Sequence, residues 1–489
     1  MQHDGTTPSP LSGGRKSEHI LVFLFLLSLP LINPWIRGDG VGYYAFARAP
    51  LIEHSLDFEH DYLDANSGFR EHRVDEAGHV KTFYRTRTGH LDNHFSVGPA
   101  ILWAPFLLLA HGAVLLARTA GSSVTADGFS APYRIAMAFA TALYGFFGLL
   151  LSFRLASKYV HKHWALLATL GVWWASSLPV YMYFNPSWSH AHSAFAVALF
   201  LWYWHETRED RTPRQWLLLG LITGLMLNVY FANAMVLAVL LVEAIPQYLA
   251  AFRAAPGRGL PARTLFFRHV TFALVVLLSL FPTFLSRYII YGNAFESGYI
   301  PLKDWFWRSP LFLTVLFSSN HGLFAWTPLL LLSAAGLFLF WRSQRRVGAA
   351  LLAAALAFYF LIACYPVWAG ISSFGNRFFI SLTTLFILGL AIVLDHFASL
   401  FRKPPAAMAS AAFVLACFVL WNLAFLFQWG AHLIPARGPI SWSEMIHNQF
   451  FVVPRRISAD LQHYLFRRGD MMQQIEQRDS EQLKRLNEE

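Results

Sequence analysis

Charge is what this chain has least of. Asp, Glu, Lys and Arg make up only 13% of its 489 residues, about half the share of roughly 25% in a soluble domain. The deficit runs along most of the length, which excludes a soluble globular protein and points to an integral membrane protein. Short alternating segments of about 10 residues are missing too, which excludes a membrane β-barrel. The only cysteines, Cys364 and Cys417, both lie inside apolar runs, so neither a disulfide framework nor a zinc site is expected. There is no glycine-rich phosphate loop, no Rossmann glycine pattern and no His-Glu-x-x-His. Nothing points to nucleotide use, so an enzyme built this way needs its activated donor delivered in the membrane.

What is present is apolar. Hydrophobic residues make up 56% of the chain and aromatic residues 16%. Runs of about 20 apolar residues are each long enough to cross a bilayer as a helix. They fall at roughly 20–36, 96–117, 133–153, 164–184, 190–205, 215–230, 232–250, 268–290, 323–341, 348–366, 378–399 and 407–432. The expected fold is an all-α polytopic membrane protein with about 11–13 transmembrane helices. Arg15 and Lys16 precede the first run, which contains Pro30 and Pro34 and ends in Trp35-Ile36-Arg37 without a small-residue cleavage site. It is therefore expected to stay as a first helix. Residues 1–18 are expected to form a disordered cytoplasmic tail, 19–440 the transmembrane domain, 37–95 a large first external loop with surface helices, and 441–489 a charged helical tail.

The formal charge is +10, but most basic residues sit in short loops between apolar runs. The excess reports orientation rather than nucleic-acid binding. Arg154/Lys158/Lys162, Arg208/Arg211/Arg214, Arg253/Arg258/Arg263/Arg268, Arg342/Arg345/Arg346 and Arg402/Lys403 are expected on the cytoplasmic side with the N-terminus. Asp39, the 188–192 link, the 291–299 link, the 368–377 link and the C-terminal tail are then outside. The run at 96–117 breaks this alternation. Its Gly98, Pro99, Pro105, His111 and Gly112 suggest a broken or re-entrant helix packed within protein.

Four segments carry polar groups at span ends on the outer side. The first is Arg37-Gly38-Asp39-Gly40, directly after the first span. An ionised carboxylate at the lip of a span is costly unless paired or solvated, so Asp39 is either functional or the cap of a helix starting near Val41. The second is the stretch Tyr43 to His54, amphipathic enough to lie on the membrane surface. Tyr43 and Tyr44 open it, and Arg48 lies on its polar side, able to pair with Asp57 or Glu59, with Asp61 close behind. The third is Asn185 to Ser193, which contains Trp188, His190 and His192. The two histidines, with hydroxyls nearby, are candidates to hold a divalent metal or a phosphate; for a metal, Asp57, Asp61, His90 and His94 are available to complete the three or four ligands a site needs. The fourth is Trp368 to Arg377, which ends in Asn376-Arg377. That guanidinium either grips a lipid phosphate or anchors its helix at the headgroups. Ser319 to Gly322, with His321, and Tyr291 to Tyr299, with Glu296, are further polar breaks beside apolar runs where an isoprenoid chain could dock.

With these residues in place the chain resembles the C-type (GT-C) glycosyltransferases, which include the protein O-mannosyltransferases, the aminoarabinose transferase and the oligosaccharyltransferases. The likeness lies in an Asp soon after the first span, a large first external loop and many following spans. Residues 144–181 look like the family's third and fourth helices, and Gly38-Asp39-Gly40-x-Gly42-Tyr43-Tyr44 is similar to a bacterial branch. Where the mannosyltransferases carry Lys-Pro-Pro or His-Pro-Pro, this chain has Asn93-His94-Phe95-Ser96-Val97-Gly98-Pro99. The resemblance implies an inverting transferase of the bacterial inner membrane with its active site on the extracytoplasmic side. It implies a polyprenyl-phosphate-linked sugar as donor and a glycan, lipid or protein as acceptor. Asp39 would be the general base, and Arg377 or Arg48 would steady the phosphate. Tyr43, Tyr44, Asp57, Asp61, His94, Trp188, His190, His192, Glu296, His321 and Asn376 are the remaining expected contacts. The alternatives are a lipid-linked glycan flippase or polymerase, and a solute transporter.

Overall fold

The computed structural model describes residues 12–253 and 261–488. Its helices are α1 (Ser12–Ser28), α2 (Asp39–Arg48), α3 (Gly98–Thr119), α4 (Ala131–Ala156), α5 (Lys162–Trp174), α6 (His190–Thr207) and α7 (Pro213–Val229). Then follow α8 (Ala238–Arg253), α9 (Ala262–Ser279), α10 (Phe281–Tyr291), α11 (Leu329–Ser343), α12 (Arg345–Cys364), α13 (Thr383–Ala398) and α14 (Pro404–Gly430). Two C-terminal helices, α15 (Val453–Phe466) and α16 (Arg468–Glu488), end the chain. Shorter helical turns fill several of the links. Among the described residues there are no β-strands, only isolated antiparallel bridges. Seven helices there are long and apolar enough to cross a membrane. Helix α13, with the turn before it, is the most enclosed of these. By contrast α8 and α9 turn Leu241, Ile245, Leu274, Leu277 and Leu278 outward, as a lipid solvent allows. Between helices, small residues permit close approach. A Cβ on Gly336 of α11 would stand 1.9 Å from the Gly389 carbonyl oxygen of α13.

Two expectations about the first third of the chain are corrected. Of the tail expected over 1–18, residues 1–11 lie outside the described residues, but 12–18 are the opening turns of α1. Glu18 there pairs with Arg154 at 2.8 Å, which ties this end to α4. The broken helix expected at 96–117 is instead α3, an unbroken helix of 22 residues. Pro99 falls in its first turn, where no backbone N–H is needed. Gly98 is there for contact, since a Cβ would stand 2.3 Å from the Val229 nitrogen. His111 is satisfied by the Tyr133 hydroxyl at 2.6 Å.

Ion pairs mark one end of the bundle. Arg154 meets Glu18, Lys158 meets Glu206 at 2.7 Å, and Arg211 meets Glu243 at 2.5 Å. Helix α6 starts at His190, against Trp188, and reaches Glu206 at that end, so Arg154, Lys158 and Arg211 gather at the end of α6 away from Asp39.

The C-terminal helices return to the first loop. The Tyr464 hydroxyl donates to the Leu31 carbonyl at 2.8 Å and Arg468 to the Pro30 carbonyl at 2.6 Å. Farther along α16, Glu476 accepts from Trp35 Nε1 at 3.1 Å. This lays α16 beside the stretch that leads into Asp39.

Candidate functional site

The site is built on a turn that only glycine fits. Gly38 has φ +54° and ψ −131°, a region closed to residues with a Cβ. An added Cβ there would also touch the Trp188 ring at 3.2 Å. The Gly38 N–H donates to Asn66 Oδ1 at 3.1 Å, and Trp188 Nε1 donates to the Arg37 carbonyl at 2.9 Å. Helix α2 then starts at Asp39, with Gly38 as its cap residue, so Asp39 does not cap the helix and its side chain bonds no backbone N–H. The carboxylate is used elsewhere: its Oδ2 lies 2.9 Å from Arg377 Nη2. Asp39 is 34% exposed and Arg377 only 10%, so an incoming group can reach the carboxylate while the guanidinium stands behind it. Lying in the first turn of α2, the negative charge is also favoured by the helix dipole.

Arg377 is held from two directions. The Asn376 amide donates to the Trp368 carbonyl at 3.2 Å, which fixes the turn that delivers Arg377. The guanidinium lies over the Trp188 ring at 4.3 Å, a cation–π contact. Its Nε and Nη1 are buried without an acceptor. A buried N–H left unpaired costs about 1–3 kcal/mol. Asp39, Arg377 and Trp188 line a cavity of about 290 Å³, together with Arg37, Asn66, Arg437 and Asp479. Burial alone would raise the Asp479 carboxyl, but His432 and Arg37 outweigh it and hold the group below its usual value.

Several expected residues stand elsewhere. Helix α2 does not lie on a surface: Tyr43, Tyr44, Ala45, Phe46 and Arg48 are buried. Arg48 pairs with Asp61 at 2.7 Å and Glu53 at 2.8 Å, not with Asp57 or Glu59. One helical turn separates Tyr44 from Arg48, so both face the loop at 127–128. There the Tyr44 hydroxyl donates to the Gly128 carbonyl at 2.6 Å. This buried network does not line the Asp39 cavity, so Arg48 is not placed to steady a phosphate there. Tyr43 is buried as well, its hydroxyl accepting from Ser189 Oγ at 3.0 Å, and neither residue lines the Asp39 cavity. Asp57 is exposed and caps a turn by accepting from the Glu59 N–H at 3.3 Å, and Glu296 is exposed in a turn. His94 packs at a tilt against Phe95 at 4.3 Å and edge-to-face against Tyr299 at 4.8 Å between ring centres. His321 is buried against Trp326.

His190 and His192 part company because residues two apart on a helix face opposite ways. His190 sits against Tyr181 and Trp188, and His192 against Trp103 and Tyr144. Among the described residues no group of three or more His, Cys, Asp or Glu has metal-holding geometry.

Sequence reasoning missed Arg437 and Asp479 as parts of the site, and gave Asn66 no role. Arg37 was visible beside Asp39, but its partner lies in the C-terminal helix, and no local pattern announces such a pairing.

Helix α2 also meets the 185–193 link closely enough to test. A Cβ on Gly40 would stand 2.0 Å from Ser187 Oγ and 2.5 Å from its Cβ. Gly40→Ala is expected to destabilise the protein by about 1–3 kcal/mol through overpacking, and Ser187→Gly in the same chain should recover much of the loss. Melting curves of the single and double variants check this.

No family model matches the chain, and no curated protein matches it in sequence. Solved structures do match. The Archaeoglobus fulgidus oligosaccharyltransferase in its apo form superposes with a TM-score of 0.51 at 13% identity, over 84% of this chain and 58% of that one. ArnT from Cupriavidus metallidurans, solved with undecaprenyl phosphate, matches with a TM-score of 0.49 at 13% identity, over 86% of this chain and 73% of that one. Archaeal oligosaccharyltransferase AglB from Archaeoglobus fulgidus, solved with an inhibitory peptide and a dolichol-phosphate, matches with a TM-score of 0.48 at 15% identity, over 91% and 56%. The chain thus spans less than two thirds of the oligosaccharyltransferase's length. Its architecture is an all-α polytopic membrane fold. Its helical arrangement is similar to that of the Archaeoglobus fulgidus oligosaccharyltransferase, a likeness of fold.

Proposed function

We propose that this chain is a membrane glycosyltransferase that moves a sugar from a polyprenyl-phosphate donor to an acceptor hydroxyl on the Asp39 side of the membrane. The observation that carries the proposal is the pairing of a reachable carboxylate with a buried, under-bonded guanidinium, Asp39 with Arg377 at 2.9 Å, on a GT-C fold. In the reaction Asp39 takes the acceptor's proton as the oxygen attacks the anomeric carbon. The bond from that carbon to the phosphate oxygen breaks, and its electron pair leaves with the lipid phosphate. The configuration inverts. Arg377 steadies the charge that develops on the phosphate. Because a phosphate departs without a protonating acid, one carboxylate suffices where a glycosidase needs two. The acceptor is a glycan, a lipid or a protein. Arg154, Lys158 and Arg211 gather at the end of α6 away from Asp39, which supports a site on the extracytoplasmic face of a bacterial inner membrane.

Binding tests this without knowledge of the sugar. Purified protein in nanodiscs is expected to bind polyprenyl phosphate, and to bind the corresponding uncharged polyprenol at least tenfold more weakly, because the phosphate carries a charge-assisted bond. Equal affinity for the two would refute the assignment of the cavity to a lipid phosphate.

A further inference from the structure

We propose that Asp479, on the C-terminal helix α16, is a positioning residue of the Asp39 site. This inference rests on the transferase proposal above. Asp479 is the second carboxylate lining the cavity that holds Asp39 and Arg377, yet it comes from the far end of the chain. Its Oδ2 lies 3.4 Å from Arg37 Nη1, and its Oδ1 lies 2.8 Å from His432 Nε2. Arg37 is where the connection to the chemistry begins. Its backbone carbonyl accepts the Trp188 indole N–H at 2.9 Å. The Trp188 ring lies under the Arg377 guanidinium at 4.3 Å, and Arg377 meets Asp39 at 2.9 Å. Asp479 thus sets Arg37, Arg37 sets Trp188, and Trp188 sets the guanidinium that would hold the donor phosphate.

The blander account is a surface ion pair, and isolated surface pairs are worth little. Three features argue against it. Asp479 and Arg37 are 25% and 17% exposed, so the pair is mostly shielded. His432 supplies a second anchor to the same carboxylate. Glu476, about one helical turn earlier, fastens the same face of α16 by accepting from Trp35 Nε1 at 3.1 Å. Helix α16 is also too polar to contribute a hydrophobic core. What it supplies where it docks is these charge-assisted contacts. The charged groups facing Asp479 are Arg37, His432, Arg437 and, along its own helix, Glu476.

The test uses full-length protein in nanodiscs and separates donor KM from kcat. Asp479→Asn is expected to raise the KM for the polyprenyl-phosphate sugar about tenfold, as loss of one charge-assisted bond would, while kcat stays within about twofold. Arg37→Gln should behave alike. The double variant should be no worse than either single one, because the two residues act in series. Asp479→Glu should restore most of the affinity. Wild-type KM in Asp479→Asn, or effects that multiply in the double variant, would overturn the inference. Polyprenyl phosphate binding separates the two levels. If the wild type binds it and Asp479→Asn binds it equally well, the positioning role alone falls. If the wild type does not bind it, the transferase proposal falls and this inference with it.

Discussion

Asp39→Asn is expected to slow transfer by about a thousandfold, in the middle of the range a lost general base gives, while donor binding is kept or improved. The amide has the carboxylate's shape, and its oxygen can still accept from Arg377. What it loses is the ability to take the acceptor's proton. Removing a negative charge beside the bound phosphate also relieves repulsion, so donor affinity should not fall. Single-turnover transfer measured together with donor binding separates the two effects. Transfer near the wild-type rate would show that Asp39 is not the base.

Arg377→Gln is expected to fail differently. A charge-assisted bond to the donor phosphate is worth about 1.5–3 kcal/mol, so affinity for the polyprenyl-phosphate donor should drop by roughly 10- to 100-fold. The rate should drop as well, because charge grows on that phosphate in the transition state. Arg377→Lys should not rescue it, since a lysine is a point charge that cannot lie over Trp188 while donating in several directions. A guanidinium that merely anchors its helix at the headgroups would leave donor affinity unchanged in both variants. Because Asp39 is 34% exposed, water can solvate it once its partner is gone, so the loss should fall on donor handling rather than on folding.

Hydropathy made the all-α membrane fold legible, because each crossing needs its own apolar run. Local chemistry made Asp39, Trp188 and Arg377 legible one at a time, each as a polar group at a span end. Their convergence was not legible, since Arg377 reaches Asp39 only through tertiary packing of α2, the 185–193 link and the turn before α13. The same limit hid Asp479. The errors had local causes. Gly98 and Pro99 looked like helix breakers, but one allows contact with Val229 and the other sits in a first turn. His190 and His192 looked like a ligand pair until the helix turned them apart. Arg48 looked solvent-facing, yet its carboxylate partners Asp61 and Glu53 let α2 bury it.

One turnover tests the central claim most directly. Purified protein is given a polyprenyl-phosphate sugar of defined anomeric configuration and an extract of envelope acceptors, and the configuration of the new glycosidic bond is read by NMR. The account predicts release of polyprenyl phosphate and a product of inverted configuration, both lost in Asp39→Asn. A product of retained configuration, or the same turnover from Asp39→Asn, would contradict it.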